Sequence, residues 1–264
     1  MNRSLSTPTR SARLMSRREM LEFMGTAAAV AMFGCGRGQS APPDSIGGEN
    51  LQSTAVAAVI PSCVVRPEQT EGPYFIDEKL NRSDIRSEPS DGSIRQGVPL
   101  RLAFQVSRVE GGSCAPLSGA RVDIWQCDAV GVYSDVRDMN VDSRGKKFLR
   151  GYQVTNAGGS AEFLTIYPGW YPGRAVHIHF KIRNFKIRND PASRQGYEFT
   201  SQLYFDESTT DQVHKQPPYN TKGRCTMTNE GDFGFRRGGK QLIPTLTKDL
   251  AGYAAKFDIG LQMT

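Results

Sequence analysis

Apolar residues recur at every second position in four separate stretches. Leu102, Phe104 and Val106 alternate with Ala103, Gln105 and Ser107, and Val122 and Ile124 with Asp123 and Trp125. Val176, Ile178, Phe180 and Ile182 alternate with His177, His179 and Lys181; Tyr253, Ala255, Phe257, Ile259 and Leu261 form the last series. A period of two lays one face of each segment on a core, as strands do and helices do not. Clusters of Gly, Pro, Asn, Asp and Ser separate the runs. The expected fold is mainly β: a β-sandwich core with long irregular loops and little helix. One segment is ambiguous. Leu246, Leu250, Tyr253 and Phe257 also fit a helical period, so residues 245–251 are expected to make a short helical turn before the last strand.

The first 35 residues have a different character. Ser16-Arg17-Arg18-Glu19-Met20-Leu21 resembles a twin-arginine export signal, and a short apolar stretch follows from Phe23 to Phe33. That stretch is too short to span a bilayer. Met32-Phe33-Gly34-Cys35 resembles a lipoprotein cleavage box, so the exported chain is either lipid-anchored at Cys35 or cleaved and released. Residues 36–60, rich in Gly, Ser, Ala and Pro, read as a flexible linker, and residues 61–264 as one catalytic domain. The formal net charge is +6, but half of it sits in residues 1–35, where five arginines face two glutamates. The remaining excess does not make a nucleic-acid footprint. The basic run Lys181 to Arg188 reads as a solvated edge. Beyond Cys35, four cysteines (Cys63, Cys114, Cys127 and Cys225) allow up to two disulfides in an oxidising compartment, with the pairing open.

The chain holds three histidines, and two of them fall in His177-Ile178-His179. On a strand, residues two apart point to the same side, so both imidazoles face a shared point while Ile178 anchors the core. A zinc site asks for a third His, a Cys or a nearby carboxylate, and a facial-triad iron(II) site for an Asp or Glu. Tyrosines stand nearby instead: Tyr133, Tyr167 and Tyr171. A phenol titrates near pH 10, so only a highly charged cation holds it ionised near neutrality. Iron(III) is such a cation, and two phenolates plus hydroxide balance its charge in a poorly solvated pocket. His214 reads as an exposed loop histidine without a role, and Glu71 as a turn cap.

Four segments, in order, resemble the intradiol ring-cleavage dioxygenases, among them the protocatechuate 3,4-dioxygenases and catechol 1,2-dioxygenases. They are Gly72-Pro73-Tyr74-Phe75; Val122 to Ala129 with Gly131-Val132-Tyr133-Ser134; Tyr171-Pro172-Gly173-Arg174-Ala175-Val176-His177-Ile178-His179-Phe180; and Ser201-Gln202-Leu203-Tyr204-Phe205. The resemblance implies Fe(3+) held by Tyr133, Tyr171, His177 and His179. It implies Arg174 as the group that stabilises the electron-rich substrate, Gln202 beside it, and Pro73 and Tyr74 along the substrate pocket. It makes Tyr171 a base as well as a ligand, and the partners a small aromatic diol and O2. The segment between Tyr171 and His177 is short for that family, so a more open mouth is expected, and Tyr167 competes with Tyr171 for the ligand role. No helical N-terminal domain is present to carry over that branch's dimerisation, and the oligomeric state stays open. A zinc or copper enzyme on the same His pair, and a non-catalytic exported β-sandwich, are the alternatives.

Overall fold

The computed structural model describes residues 64–138, 141–185 and 196–263. The leader, the linker and Cys63 lie outside these residues, as does the second half of the Lys181 to Arg188 run.

The elements are β1 (Pro99–Glu110), β2 (Ser113–Pro116), β3 (Arg121–Trp125), β4 (Arg137–Asp138), β5 (Val141–Asp142), β6 (Arg150–Val154), β7 (Ser160–Ile166), β8 (His177–Asn184), β9 (Tyr197–Tyr204), α1 (Glu207–His214), β10 (Thr245–Asp249) and β11 (Gly252–Gln262). β1 is the hub of the first sheet. It runs parallel to β11 (Phe104 opposite Phe257) and antiparallel to β7 (Phe104 opposite Ala161), with β2 on its C-terminal half and β10 beyond β11. The second sheet runs β6-β3-β8-β9, antiparallel throughout.

The sheets close on the residues that the period of two marks out. Leu102, Phe104 and Val106 from β1, Val122 and Ile124 from β3, Ile178, Phe180 and Ile182 from β8, and Phe257 and Ile259 from β11 share one buried core. Phe104 packs on Phe180 of the opposite sheet at 5.3 Å between ring centroids and on Phe257 at 6.0 Å. The mainly-β sandwich expected from the alternation is what forms. Phe104→Ala removes the ring that joins three strands, and is expected to cost about 3–5 kcal/mol in a denaturant unfolding curve.

Several local expectations are corrected. Residues 245–249 are strand β10, because Thr245 to Asp249 find a partner row in Lys256 to Gly252; Leu250 is the exposed tip of that hairpin. Pairing along β11 outweighs a helical period of four residues. His214 is buried at the end of α1, where Nε2 meets the Pro168 carbonyl at 3.0 Å and the ring stacks on Tyr219. Lys181 is no solvated edge: it is buried on β8 and ion-paired with Glu71 and Glu198, which also gives Glu71 a partner in place of a turn-capping role. Of the up to two disulfides that the cysteines allow, one engages Cys114, while Cys127 is a buried free thiol and Cys225 a half-buried one.

The second sheet is covered on its other face too. Asp123, Trp125, His177, His179 and Lys181 project away from the sandwich core yet are buried. Residues 69–82 cross this face, with Gln69 N–H donating to Thr200 O at 2.9 Å and Arg82 N–H to Tyr152 O at 3.2 Å. Polar side chains enclosed there mark where function resides.

Candidate metal centre

Antiparallel register aligns one row across the covered face: Arg150, Trp125, His179 and Gln202, with His177 opposite Tyr204 in the next. Directly paired residues share a face. The indole of Trp125 lies flat on the His179 ring, at 5.0 Å and 5°. Gly72 closes the other approach. It has φ of +72°, and a Cβ there would stand 3.2 Å from His179 Cε1. Its neighbour Pro73 is exposed, and Tyr74 stacks on Tyr133 at 4.5 Å.

Tyr133 enters from a turn that Asp128 builds. The Asp128 carboxylate accepts from Val130 N–H at 3.0 Å and Val132 N–H at 2.9 Å. Gly131, with φ of +85°, packs so closely on the Trp170 carbonyl that a Cβ would stand 2.1 Å from it. Glycine thus lets the Tyr133 turn and the Tyr171 turn touch. Arg150, fully enclosed, donates to Ser134 Oγ and O and to Tyr74 O at 2.6–2.8 Å, joining the Tyr133 turn to the Tyr74 segment.

The four donor side chains converge. Tyr171 Oη lies 3.2 Å from His177 Nε2, and His177 Nε2 lies 3.1 Å from His179 Nε2. The rings of Tyr133 and Tyr171 meet edge to face at 5.6 Å, and Tyr133 lies 6.4 Å from His179. Tyr133 Oη is buried with no hydrogen-bond partner among the described residues. Tyr167 is elsewhere: its hydroxyl bonds Thr210 Oγ1 at 2.7 Å. Tyr171, and not Tyr167, is the tyrosine that stands beside the two histidines.

This set fits a metal ion on two grounds. A carbonyl only accepts, so the 2.6 Å contact from Ala175 O to His177 Nδ1 places the proton on Nδ1 and leaves the Nε2 lone pair aimed at the cluster. Two donors each about 2.1 Å from one ion, at right angles, stand about 3 Å apart, as the two Nε2 atoms do. Among the described residues no group of three or more His, Cys, Asp or Glu could hold a metal. The phenols of Tyr133 and Tyr171 are the further ligand-type groups beside the two imidazoles.

Electrostatics point the same way. Burial, then the Arg174 cation, pushes His177 down to about 3, and burial with the adjoining His177 holds His179 well below the usual range, so both rings are neutral donors. Burial raises Tyr133 well above an ordinary phenol, and raises Tyr171 despite the opposing Arg174 charge. A cation that ionises both must be hard and highly charged.

Beside the donors stands Arg174. Its Nη2 donates to Gln202 Oε1 at 2.6 Å, its Nε to Asp232 Oδ2 at 2.8 Å, and the Phe233 ring lies against the guanidinium at 4.9 Å. Gln202 Nε2 donates in turn to Thr70 O at 3.0 Å, and Tyr204 Oη to Gln69 Oε1 at 2.9 Å. Tyr133, Tyr171, Arg174, His177, His179, Gln202 and Tyr74 thus assemble at one place. Sequence reasoning missed Trp125, Arg150, Tyr204 and Asp232. Trp125 was discoverable, because it is a strand partner of His179 on the polar side of an alternating strand. Asp232, between glycines, carries only a turn signal.

Comparison with known proteins agrees with this layout. A family model described as dioxygenase matches residues 70–210, more than half of the chain. An intradiol ring-cleavage dioxygenase from Tetranychus urticae is 34% identical, with a TM-score of 0.62 over 76% of this chain and 95% of that one. A protocatechuate 3,4-dioxygenase beta chain from Burkholderia cepacia is 36% identical over 101 residues, 34% of this chain and 42% of that protein. A catechol 1,2-dioxygenase from Candida albicans is 32% identical over 132 residues, 42% of this chain and 40% of that protein. The matched region spans less than half the length of these two curated relatives.

Proposed function

Since the chain belongs to the intradiol ring-cleavage dioxygenase family, we propose that it is a non-haem iron(III) enzyme that inserts O2 between the two hydroxylated carbons of a catechol-type diol, giving a muconate-type dicarboxylic acid. The observation that carries this reading is the convergence of two neutral imidazoles and two phenols, with the Nε2 atoms 3.1 Å apart and Tyr171 Oη 3.2 Å from His177.

Tyr133, Tyr171, His177 and His179 would hold the iron. Bound there, ferric iron supplies Lewis acidity toward a chelated diol and its reaction with O2. The protein's own groups do the rest. Tyr171 adjoins the exposed Pro172 and Gly173 at the mouth, and as a phenolate ligand its Oη would be a base able to take a proton from the incoming diol. Trp125 and Gly72 keep His179 from rotating. Tyr74 and Pro73 flank the entry. The Arg174 guanidinium, fixed by Gln202, offsets negative charge as it develops on the substrate. The short turn from Tyr171 to His177 leaves Pro172 and Gly173 exposed, in keeping with an open mouth. The proposal includes export: the twin-arginine-like leader over residues 1–35 supports delivery of a folded, metal-loaded protein to the cell envelope, anchored at Cys35 or released.

The purified protein is expected to carry about one iron per chain and an intense visible tyrosinate-to-iron band, which shifts when catechol is added without oxygen. A colourless protein holding zinc would overturn the proposal.

A further inference from the structure

Asp232 lies outside the four motifs, far along the chain from the donor set, yet its side chain is 0% exposed. Its carboxylate accepts four N–H groups. Oδ2 takes Arg174 Nε–H and Ala175 N–H, each at 2.8 Å; Oδ1 takes Gly234 N–H at 2.6 Å and Phe235 N–H at 3.0 Å. The two bonds to Oδ1 fasten the carboxylate to its own loop. The two to Oδ2 act on the site. One holds the guanidinium that also reaches Gln202; the other holds the amide N–H of Ala175, the residue whose carbonyl, in the following peptide unit, receives the proton of His177 Nδ1 at 2.6 Å. Phe233, 47% exposed, covers the guanidinium from outside.

We propose that Asp232 is the positioning residue of the active site, aligning Arg174 toward the substrate and fixing the backbone at Ala175, whose carbonyl orients His177. This rests on the function proposed above. Both oxygens are fully used, so no neutral isostere can replace the carboxylate: in Asp232→Asn the amide NH2 must face either Arg174 and Ala175 or the two loop N–H groups, donor against donor. Such outer partners of ligands and catalytic cations typically alter activity without touching substrate.

Two measurements test the assignment. In the metal-free protein, nuclear magnetic resonance is expected to show a slowly exchanging Arg174 Nε–H that becomes fast in Asp232→Asn. This arm needs no turnover, so it is separate from the function itself, which fails if the unaltered iron-loaded protein consumes no oxygen with diols. In the iron-loaded protein, Asp232→Asn is expected to lower kcat roughly 10- to 100-fold with KM changed less than about threefold. Placed on Arg174→Gln, the same change is expected to cost clearly less than it does in the parent, because only its hold on Ala175 is then left to lose. Gly234→Ala offers a second variant with the carboxylate intact. A Cβ there stands 2.5 Å from Tyr204 Oη, 3.0 Å from Asp232 Oδ1 and 3.1 Å from Arg174 Nη2, so it should disturb the carboxylate–guanidinium pair and lower kcat in the same way. An Arg174 Nε–H unchanged by Asp232→Asn, a kcat within about threefold of the parent, or an equal loss in both backgrounds overturns the proposal.

Discussion

Tyr133→Phe is expected to lower diol-dependent oxygen uptake by at least about 100-fold while leaving the metal-free protein no less stable than the parent. The two effects have opposite signs because the hydroxyl has opposite value in the two states. Tyr133 Oη is enclosed, has no hydrogen-bond partner among the described residues and sits among the rings of Tyr74, Tyr171 and His179. A buried hydroxyl left unpaired costs about 1–3 kcal/mol, so its removal from the metal-free fold is neutral or favourable. With iron bound, the same oxygen is a charged ligand, and phenylalanine offers nothing in its place. Thermal melts of metal-free protein, together with oxygen-electrode rates of iron-loaded protein, separate the two. A variant that keeps its oxygen uptake would remove Tyr133 from the ligand set.

Arg174→Gln is expected to lower kcat by about 100- to 1000-fold, as when a donor to developing negative charge is lost. It also strands Asp232. Breaking a buried pair costs roughly 3–5 kcal/mol, and the lower end applies because Asp232 keeps three backbone donors. Burial alone would raise the Asp232 carboxyl, but bonding to Arg174, Ala175 and Phe235 outweighs it and holds Asp232 below the ordinary 3.8. A group whose folded pKa is depressed contributes stability that is full above its unfolded value and lost as pH falls through its folded one. The stability gap between parent and Arg174→Gln is therefore expected to be largest above about pH 4 and to shrink below it. Urea unfolding curves at a series of pH values measure it; a gap that widens in acid would refute the assignment.

Much of this was legible beforehand because it is local. Leu102 to Val106 and Val176 to Ile182 alternate on scales that a strand's own geometry fixes, so the sandwich and the shared aim of His177 and His179 follow from sequence. The Tyr133 and Tyr171 motifs could be recognised in order along the chain. Where local signal was thin, the reading slipped. Residues 245–249 carried two periods at once, and the neighbouring strand β11 decided between them. His214 looked like a polar loop residue until α1 packed it beside Tyr219 and Pro168.

The sequence by itself determined the strand faces and the shared direction of His177 and His179, since side-chain direction along a strand depends only on covalent geometry and on parity of position. The tertiary structure alone decided that Tyr171 rather than Tyr167 joins the histidines, that Trp125 stacks on His179, and that Asp232 reaches Arg174. Those meetings depend on how loops distant in the chain pack over one sheet face, and no local period encodes that.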